Sequence, residues 1–567
     1  MPLSLPATTD EALDWGWEQF QPYADELLAA TLDANTLIDF MTRLTAFDDF
    51  ASEVAARIHI DTTLNTTDEQ AKARFMRFIQ ELYPQFLRVN DAMNRKIVDS
   101  GLTPPNYEVP LRAIKSQIAL FREANLPLLS QEQAWTKEYE EINGAQTVLW
   151  DGEEKTLTQV ATVLHETDRV RREQAFRAIM ERRLQDRDKI DALWAKLYPL
   201  RQQIAHNAGF PDYRAYMWQE RGRFDYTPQD VERFHEAIRQ VVVPSVKRLN
   251  DKRKAALGVD VLRQWDVNVD MHGRAPLKPF QTGAELQETS ARIFDALDPE
   301  LGRMFRLMKD EGLLDLENRK NKAPGGYQST LAYRKRPFIF MNAVGLHNDV
   351  QTMLHEAGHA FHMLEAAQQP FSGMRHAPIE FCEVASMSME LLAAPHLEAS
   401  LGGFYSAAEA ARARIEHLEE MLVFWPYMAV VDAFQSWAYT HPEGGDPRAC
   451  DAKWAELWHT YKQGVDYSGL EDWVMTGWQR KLHIIEIPFY YIEYGLAQLG
   501  AAQLWANSLD DSQQALRAYR QALALGNTRT LPQLFEAAGV KLAFDVDTLG
   551  RIVELIEKTI SELEAVG

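Results

Sequence analysis

The chain has 567 residues and a mass of 64.9 kDa, room for roughly three to five domains or for one large two-lobed enzyme; with 46% hydrophobic and 25% charged residues, it has enough apolar material to exclude disorder as its main state. Sixty Lys and Arg against 82 Asp and Glu leave −22 at neutral pH, and a body this acidic repels phosphate backbones, which argues against nucleic acid as a general partner. The two cysteines, Cys382 and Cys450, build neither a disulfide framework nor a zinc site of three or four thiolates, so any metal must be held by histidine and carboxylate.

The N-terminal stretch has no cationic segment before Arg43 and no long apolar run, so no secretory signal and no membrane span are expected, and cysteine poverty favours a cytoplasmic location. Apolar positions three and four apart predict helices over 10–60, 67–100, 130–145 and 155–208. Thr67-Asp68 and Ser130 read as helix starts, and Pro104-Pro105 and Pro110 as breaks near a linker. The turn signal Asp151-Gly152 between Thr147–Leu149 and Lys155–Leu157 predicts a hairpin. Helices then resume to about residue 310, with an irregular piece at 264–283. Residues 323–327 form a loop by composition, and Pro337–Asn342 reads as a short strand, the one convincing β region, just before the chemistry. From 349 onward the pattern is helical again. The segment 518–523 looks like a single tetratricopeptide helix, but without repetition it reads as an ordinary amphipathic helix.

The sharpest signal is His355-Glu356-Ala357-Gly358-His359. With Asn348 and Asp349 capping the helix, the two histidines lie about 40° apart around its axis and can share one tetrahedral ion. Glu356 projects beside that ion, placed to take a proton from its water and deliver it to a leaving amine. Gly358, a poor helix former, implies a backbone or a substrate pressed against that turn. The metzincin pattern is excluded, because positions 362 and 365 hold His and Glu. Catalytic zinc needs a third ligand. Glu380, Glu383 and Glu390 share one face of the following apolar helix, and spacing alone leaves the choice between Glu380 and Glu383 open. An exposed acidic face is the bland alternative.

These residues, His355 to His362 followed by Phe381-Cys382-Glu383-Val384-Ala385-Ser386-Met387, resemble the thimet oligopeptidase and oligoendopeptidase F family of zinc metallopeptidases, closest to the oligoendopeptidase F branch. The resemblance runs from about residue 150 to 555. It implies that the third ligand is Glu383, the Glu of a Phe-x-Glu-x-x-Ser-x context. It also implies that a Tyr in a Tyr-x-x-Tyr context and a His upstream stabilise the oxyanion. These fall on Tyr494, with Tyr491 as neighbour, and on His483, where a phenol O–H or an imidazolium would face developing charge. Pro488 suits the first turn of their helix. Tyr490, four residues before Tyr494, shares its face, and which tyrosine acts stays open.

The remaining candidates are weaker. Asp349 is a helix cap or an acceptor that orients a ligand imidazole, and Glu390 is a candidate for the same support. His362 and His376 read as structural or surface histidines, and Cys382 as a buried thiol that makes no bond to zinc. Tyr327 and Arg334 would line subsites if the 338–342 strand pairs with extended peptide.

The expected architecture is mainly α: two helical lobes around a deep central channel, with a small β element beside the zinc helix. Residues 1–150 would form the N-terminal lobe and 151–567 the catalytic region. The expected function is a zinc endopeptidase, with one Zn²⁺ per chain, acting on internal bonds of short unfolded oligopeptides. The restriction to short unfolded peptides follows from the resemblance. The alternatives are a helical carboxypeptidase of the Taq type, or a non-catalytic helical binding protein with a chance motif. No oligomeric state follows from the sequence.

Overall fold

The computed structural model describes residues 4–319, 321–323 and 325–565, so Pro324 of the predicted loop lies outside the described residues. The chain is mainly α-helical, and among the described residues its helices gather around two large apolar cores and a small one at Val160, Val163 and Ala175. The first is built by Phe20, Phe40, Phe50 and Met93, and it reaches across the chain to Phe371 and Met374. The second, much larger core contains Trp194, Trp425, Trp478 and most of the remaining buried side chains. Among the described residues no helix is long and apolar enough to cross a membrane.

Several expected boundaries move. Residues 10–60 are broken at Ala30–Thr36, and the long helix there is α1 (Leu37–Leu64). Asp68 does cap the next helix, its carboxylate accepting from the Gln70 and Ala71 amides. Ser130 does not start a helix. That helix begins at Leu126, and the Ser130 hydroxyl instead donates to the Leu126 carbonyl one turn back. Pro110 sits in the first turn of Glu108–Leu120, where its missing N–H costs nothing. The Asp151-Gly152 hairpin pairs β1 (Thr147–Trp150) with β2 (Glu153–Thr156), both turn residues at positive φ.

The β element beside the site is larger than the sequence pattern suggests. β3 (Leu314–Glu317), β4 (Tyr327–Leu331) and β5 (Arg336–Ala343) form a sheet in the order β3-β5-β4, with β3 parallel and β4 antiparallel to β5. Only β5 was anticipated. β3 and β4 are short and polar in part, and their pairing is set by a partner distant in sequence. Tyr327 stacks on Phe340, and its hydroxyl bonds Thr63 of α1 at 2.6 Å. Arg334 donates to Glu53 of α1 from its amide and from Nε, each at 2.8 Å. Both residues expected to line subsites therefore tie the sheet to α1.

Four further helices build the site: α2 (His347–Ala366), α3 (Ile379–Ala393), α4 (Ala407–Thr440) and α5 (Tyr491–Asp510). α2 starts slightly earlier than expected. Asp349 is its third residue and accepts from the Val344 and Leu346 amides, each at 2.9 Å, so it caps the helix from within the first turn. Gly358 marks where α2 and α3 touch: a Cβ there would stand 2.6 Å from the Ser386 Cα and 2.7 Å from the Ala385 carbonyl oxygen. The backbone of α3 is what presses on that turn. Gly358→Ala must push the helices apart, and we expect a stability loss of about 1–3 kcal/mol, read as a lower thermal midpoint. An unchanged midpoint would mean that α2 and α3 have room for a methyl group at this turn.

Candidate metal centre

Four residues apart on α2, His355 and His359 present their rings side by side, with centroids 4.9 Å apart. α3 crosses beneath them and brings Glu383 up. Glu383 Oε2 lies 3.4 Å from His355 Nε2 and 3.6 Å from His359 Nε2. One ligand atom from each of the three residues falls within 4.8 Å of the others. Bonds of about 2.0–2.2 Å in a tetrahedron place neighbouring ligand atoms about 3.3–3.6 Å apart, so the donor set fits zinc in both chemistry and spacing. Among the described residues this is the one such group of three.

The carboxylates that spacing could not separate are separated by their partners. Glu380 is buried, and its Oε1 accepts from the Tyr226 hydroxyl at 2.6 Å, away from the trio. Glu383 accepts from the Tyr490 hydroxyl at 2.9 Å and from Ser386 Oγ at 3.1 Å. Burial works against its charge, but His359, His355 and Tyr490 outweigh that and hold its carboxyl at about 2. Glu390 meets the other nitrogen of His355, with Oε1 2.6 Å from Nδ1, and its Oε2 lies 2.9 Å from His417 Nε2 on α4. Burial opposes this charge too, yet His355 and His417 bring Glu390 down to about 2. An anionic Glu390 fixes the tautomer that leaves His355 Nε2 free to face Glu383. His417 went unseen in the sequence, lying mid-helix among charged residues with no spacing relation to the motif.

Glu356 is buried and turned toward β4, where the Gln328 backbone faces its carboxylate. Burial lifts it to about 7; His355 opposes the shift and Glu383 adds to it. A carboxyl with that pKa exchanges protons readily near neutrality. His362 is buried with its ring edge-on to Phe381, outside the trio, and burial drives its pKa down to about 3. Cys382 is half-buried and its thiol points to the Ala377 carbonyl.

The aromatic wall has an unexpected entry. Pro488 is not in the first turn of α5: Phe489 follows it at φ +64°, and the helix begins at Tyr491. That left-handed residue is held by the Gln435 side chain, which accepts from its amide at 2.7 Å, and by Arg223, which donates to its carbonyl. The sharp turn brings Tyr490 onto Glu383. Tyr494 lies against Tyr490, ring centroids 5.0 Å apart. Burial and then the Glu383 charge raise its pKa, so it stays an O–H donor. His483 stands 6.1 Å from Tyr490 and 6.0 Å from Tyr494, centroid to centroid. Burial, then Lys481 and Arg221, lower it to about 3. Its donor is therefore a neutral N–H and not an imidazolium. Tyr491 turns elsewhere: its hydroxyl accepts from Lys481 at 3.0 Å, and its ring packs on Phe424 and Tyr427.

The profile of Peptidase family M3 matches residues 162–551. Oligopeptidase PepF of Bacillus subtilis (strain 168) is 24% identical over 334 residues, which cover 57% of this chain and 47% of the relative, so the match spans about half that relative's length. Among solved structures, PZ peptidase A with inhibitor 2 superimposes with a TM-score of 0.88 at 26% identity, covering 99% of this chain and 98% of that one. A protein provisionally named oligoendopeptidase F gives 0.87 at 27% identity, covering 97% and 96%. With the family's profile spanning most of its length, and this histidine–glutamate trio inside the matched region, the chain belongs to peptidase family M3.

Proposed function

We propose that the chain is a zinc-dependent endopeptidase that hydrolyses internal bonds of short, unfolded oligopeptides. The observation that carries this reading is the convergence of His355, His359 and Glu383, one ligand atom from each within 4.8 Å, with the Glu356 carboxyl on the same turn of α2. When bound, zinc polarises a carbonyl and makes water acidic. His355 and His359 would hold it through Nε2, and Glu383 through Oε2. Glu356 takes the proton of the attacking water and passes it to the departing amine nitrogen. The Tyr494 O–H and the neutral His483 N–H donate toward the oxygen on which charge develops. Tyr490 and Ser386 fix Glu383, and Glu390 and His417 fix His355. The edge strand β4, beside Glu356, is available to pair with an extended peptide backbone.

The test is an internally quenched oligopeptide with products identified by mass spectrometry. Cleavage at an internal bond, lost on chelation and restored by zinc, is the expected outcome. Release of single C-terminal residues would replace the reading with a carboxypeptidase. Turnover insensitive to chelators, or none at all, would discard metal-dependent proteolysis.

A further inference from the structure

Three side chains from two distant segments converge on one turn of backbone beside the metal centre, the turn at Phe489. The helix Tyr213–Glu220 ends in Arg221-Gly222-Arg223. Gly222 has φ +67°, its N–H bonds the Gln219 carbonyl, and the Arg223 N–H bonds the Trp218 carbonyl, which together close a left-handed helix cap. Both arginines of that cap reach the same stretch of chain. Arg221 Nη2 donates to the Pro488 carbonyl at 3.2 Å, and Arg223 Nη2 donates to the Phe489 carbonyl. From α4, the Gln435 side-chain oxygen takes the Phe489 N–H between them at 2.7 Å. Three successive polar groups of the main chain are thus held by side chains. The backbone's own bond across the turn, from the Tyr490 N–H to the Ile487 carbonyl, is 3.4 Å long, beyond the usual range.

Such a clamp answers a specific cost. At φ +64° the Phe489 Cβ crowds the following carbonyl, and a phenylalanine stays there only when its surroundings over-determine it. Its ring is buried against Tyr439 and Tyr213, with centroids 5.6 and 6.5 Å away. Arg223 is buried as well. It meets Glu493 Oε1 at 3.0 Å, and its guanidinium lies 5.9 Å from the ring centroid of Tyr226, the phenol that bonds Glu380. Glu380 thereby has a place in the clamp, as one of two buried acids whose charges act on this one arginine.

What the clamp sets is the next residue. Tyr490 follows Phe489 directly, its hydroxyl donates to Glu383 Oε1 at 2.9 Å, and the Arg221 guanidinium lies 5.2 Å from its ring centroid. Rotation about the Phe489 backbone swings the whole Tyr490 side chain, and a hydrogen bond does not survive a shift of an ångström. Groups that hold a ligating carboxylate in place tune the affinity for its metal.

We propose that Arg221, Arg223 and Gln435 are positioning residues that set the zinc affinity of the metal centre through Tyr490, an inference that rests on the reading of His355, His359 and Glu383 as zinc ligands.

The test is a double-mutant cycle read in zinc affinity. Gln435→Met and Arg221→Met are each made in the wild-type chain and in Tyr490→Phe. Zinc dissociation constants are measured by competition with a chromophoric chelator, with thermal midpoints alongside. Arg223 is left in place, because removing it strands two buried acids. Tyr490→Phe should weaken zinc binding by about 10-fold, as expected for a group that supports a ligand. Gln435→Met and Arg221→Met should each weaken it by about threefold or more alone, a part of the same loss. Deleting a cation near the site would by itself strengthen zinc binding, so weaker binding in Arg221→Met reports position and not charge. In Tyr490→Phe either change should cost less than about twofold further, because the bond it sets is already gone. A role in fold stability alone would lower the midpoints in both backgrounds and leave zinc affinity unchanged, which overturns the proposal. Losses that multiply with Tyr490→Phe overturn it too, as does wild-type affinity in Tyr490→Phe. If Gln435→Met fails to fold, Gln435→Asn, which withdraws the acceptor by one methylene and stays polar, carries the same comparison. Zinc binding needs no substrate. A chain that shows the expected coupling yet cleaves no peptide keeps the clamp and discards the peptidase reading, and a wild-type chain that takes up no zinc discards both.

Discussion

Glu356→Gln is expected to keep its metal and to lose peptide turnover by about 10²–10⁴-fold, the usual contribution of a positioned general base. Glutamine matches glutamate in size, so the buried pocket against β4 stays filled, and the ligand atoms of His355, His359 and Glu383 are untouched. What disappears is the carboxylate that accepts a proton. Burial lifts that carboxyl to about 7 in the wild-type chain, close to neutrality, where a base both accepts and returns a proton with little penalty. Bound zinc by elemental analysis and turnover of a quenched peptide, measured on one preparation, check both halves. Turnover equal to wild type would sink the mechanism.

The second large effect separates two glutamates three residues apart. Glu383→Ala removes one of the three proposed ligands, along with the acceptor of Tyr490 and Ser386. Zinc after dialysis should fall well below one per chain, with activity falling in parallel. Glu380→Ala should keep its zinc. It leaves the buried Tyr226 hydroxyl without its partner, at about 1–3 kcal/mol for an unsatisfied group, so its signature is a lower thermal midpoint at full metal content. The reverse pattern would move the third ligand to Glu380.

The parts of the site that could be read from the sequence are those whose geometry is local. His355 and His359 share one turn of one helix, so spacing alone placed their rings together. Glu383 lies on a different helix, and Glu380 shares its face; the hydroxyls of Tyr226 and Tyr490 that distinguish them arrive from distant segments. His417 is invisible for the same reason, since it reaches Glu390 only because α4 and α3 both pack on α5. The helical class was plain from periodicity. β3 and β4 were not, because a four- or five-residue strand carries little pattern of its own. Pro488 misled because proline at a helix start is common, whereas the chain here first turns through Phe489 at φ +64°, a conformation that no side-chain pattern announces.

The contact between Glu383 and Tyr490 also has a meaning in time. It joins residues 107 positions apart, and a ribosome adding about 5–20 residues per second needs roughly 5–20 s to bridge that gap. Throughout that interval the nascent chain already carries His355, His359 and Glu383, but lacks the Tyr490 and Tyr494 phenols and the His483 imidazole that pack beside them. The Glu383–Tyr490 contact therefore closes only after translation has passed Glu383 by more than a hundred residues.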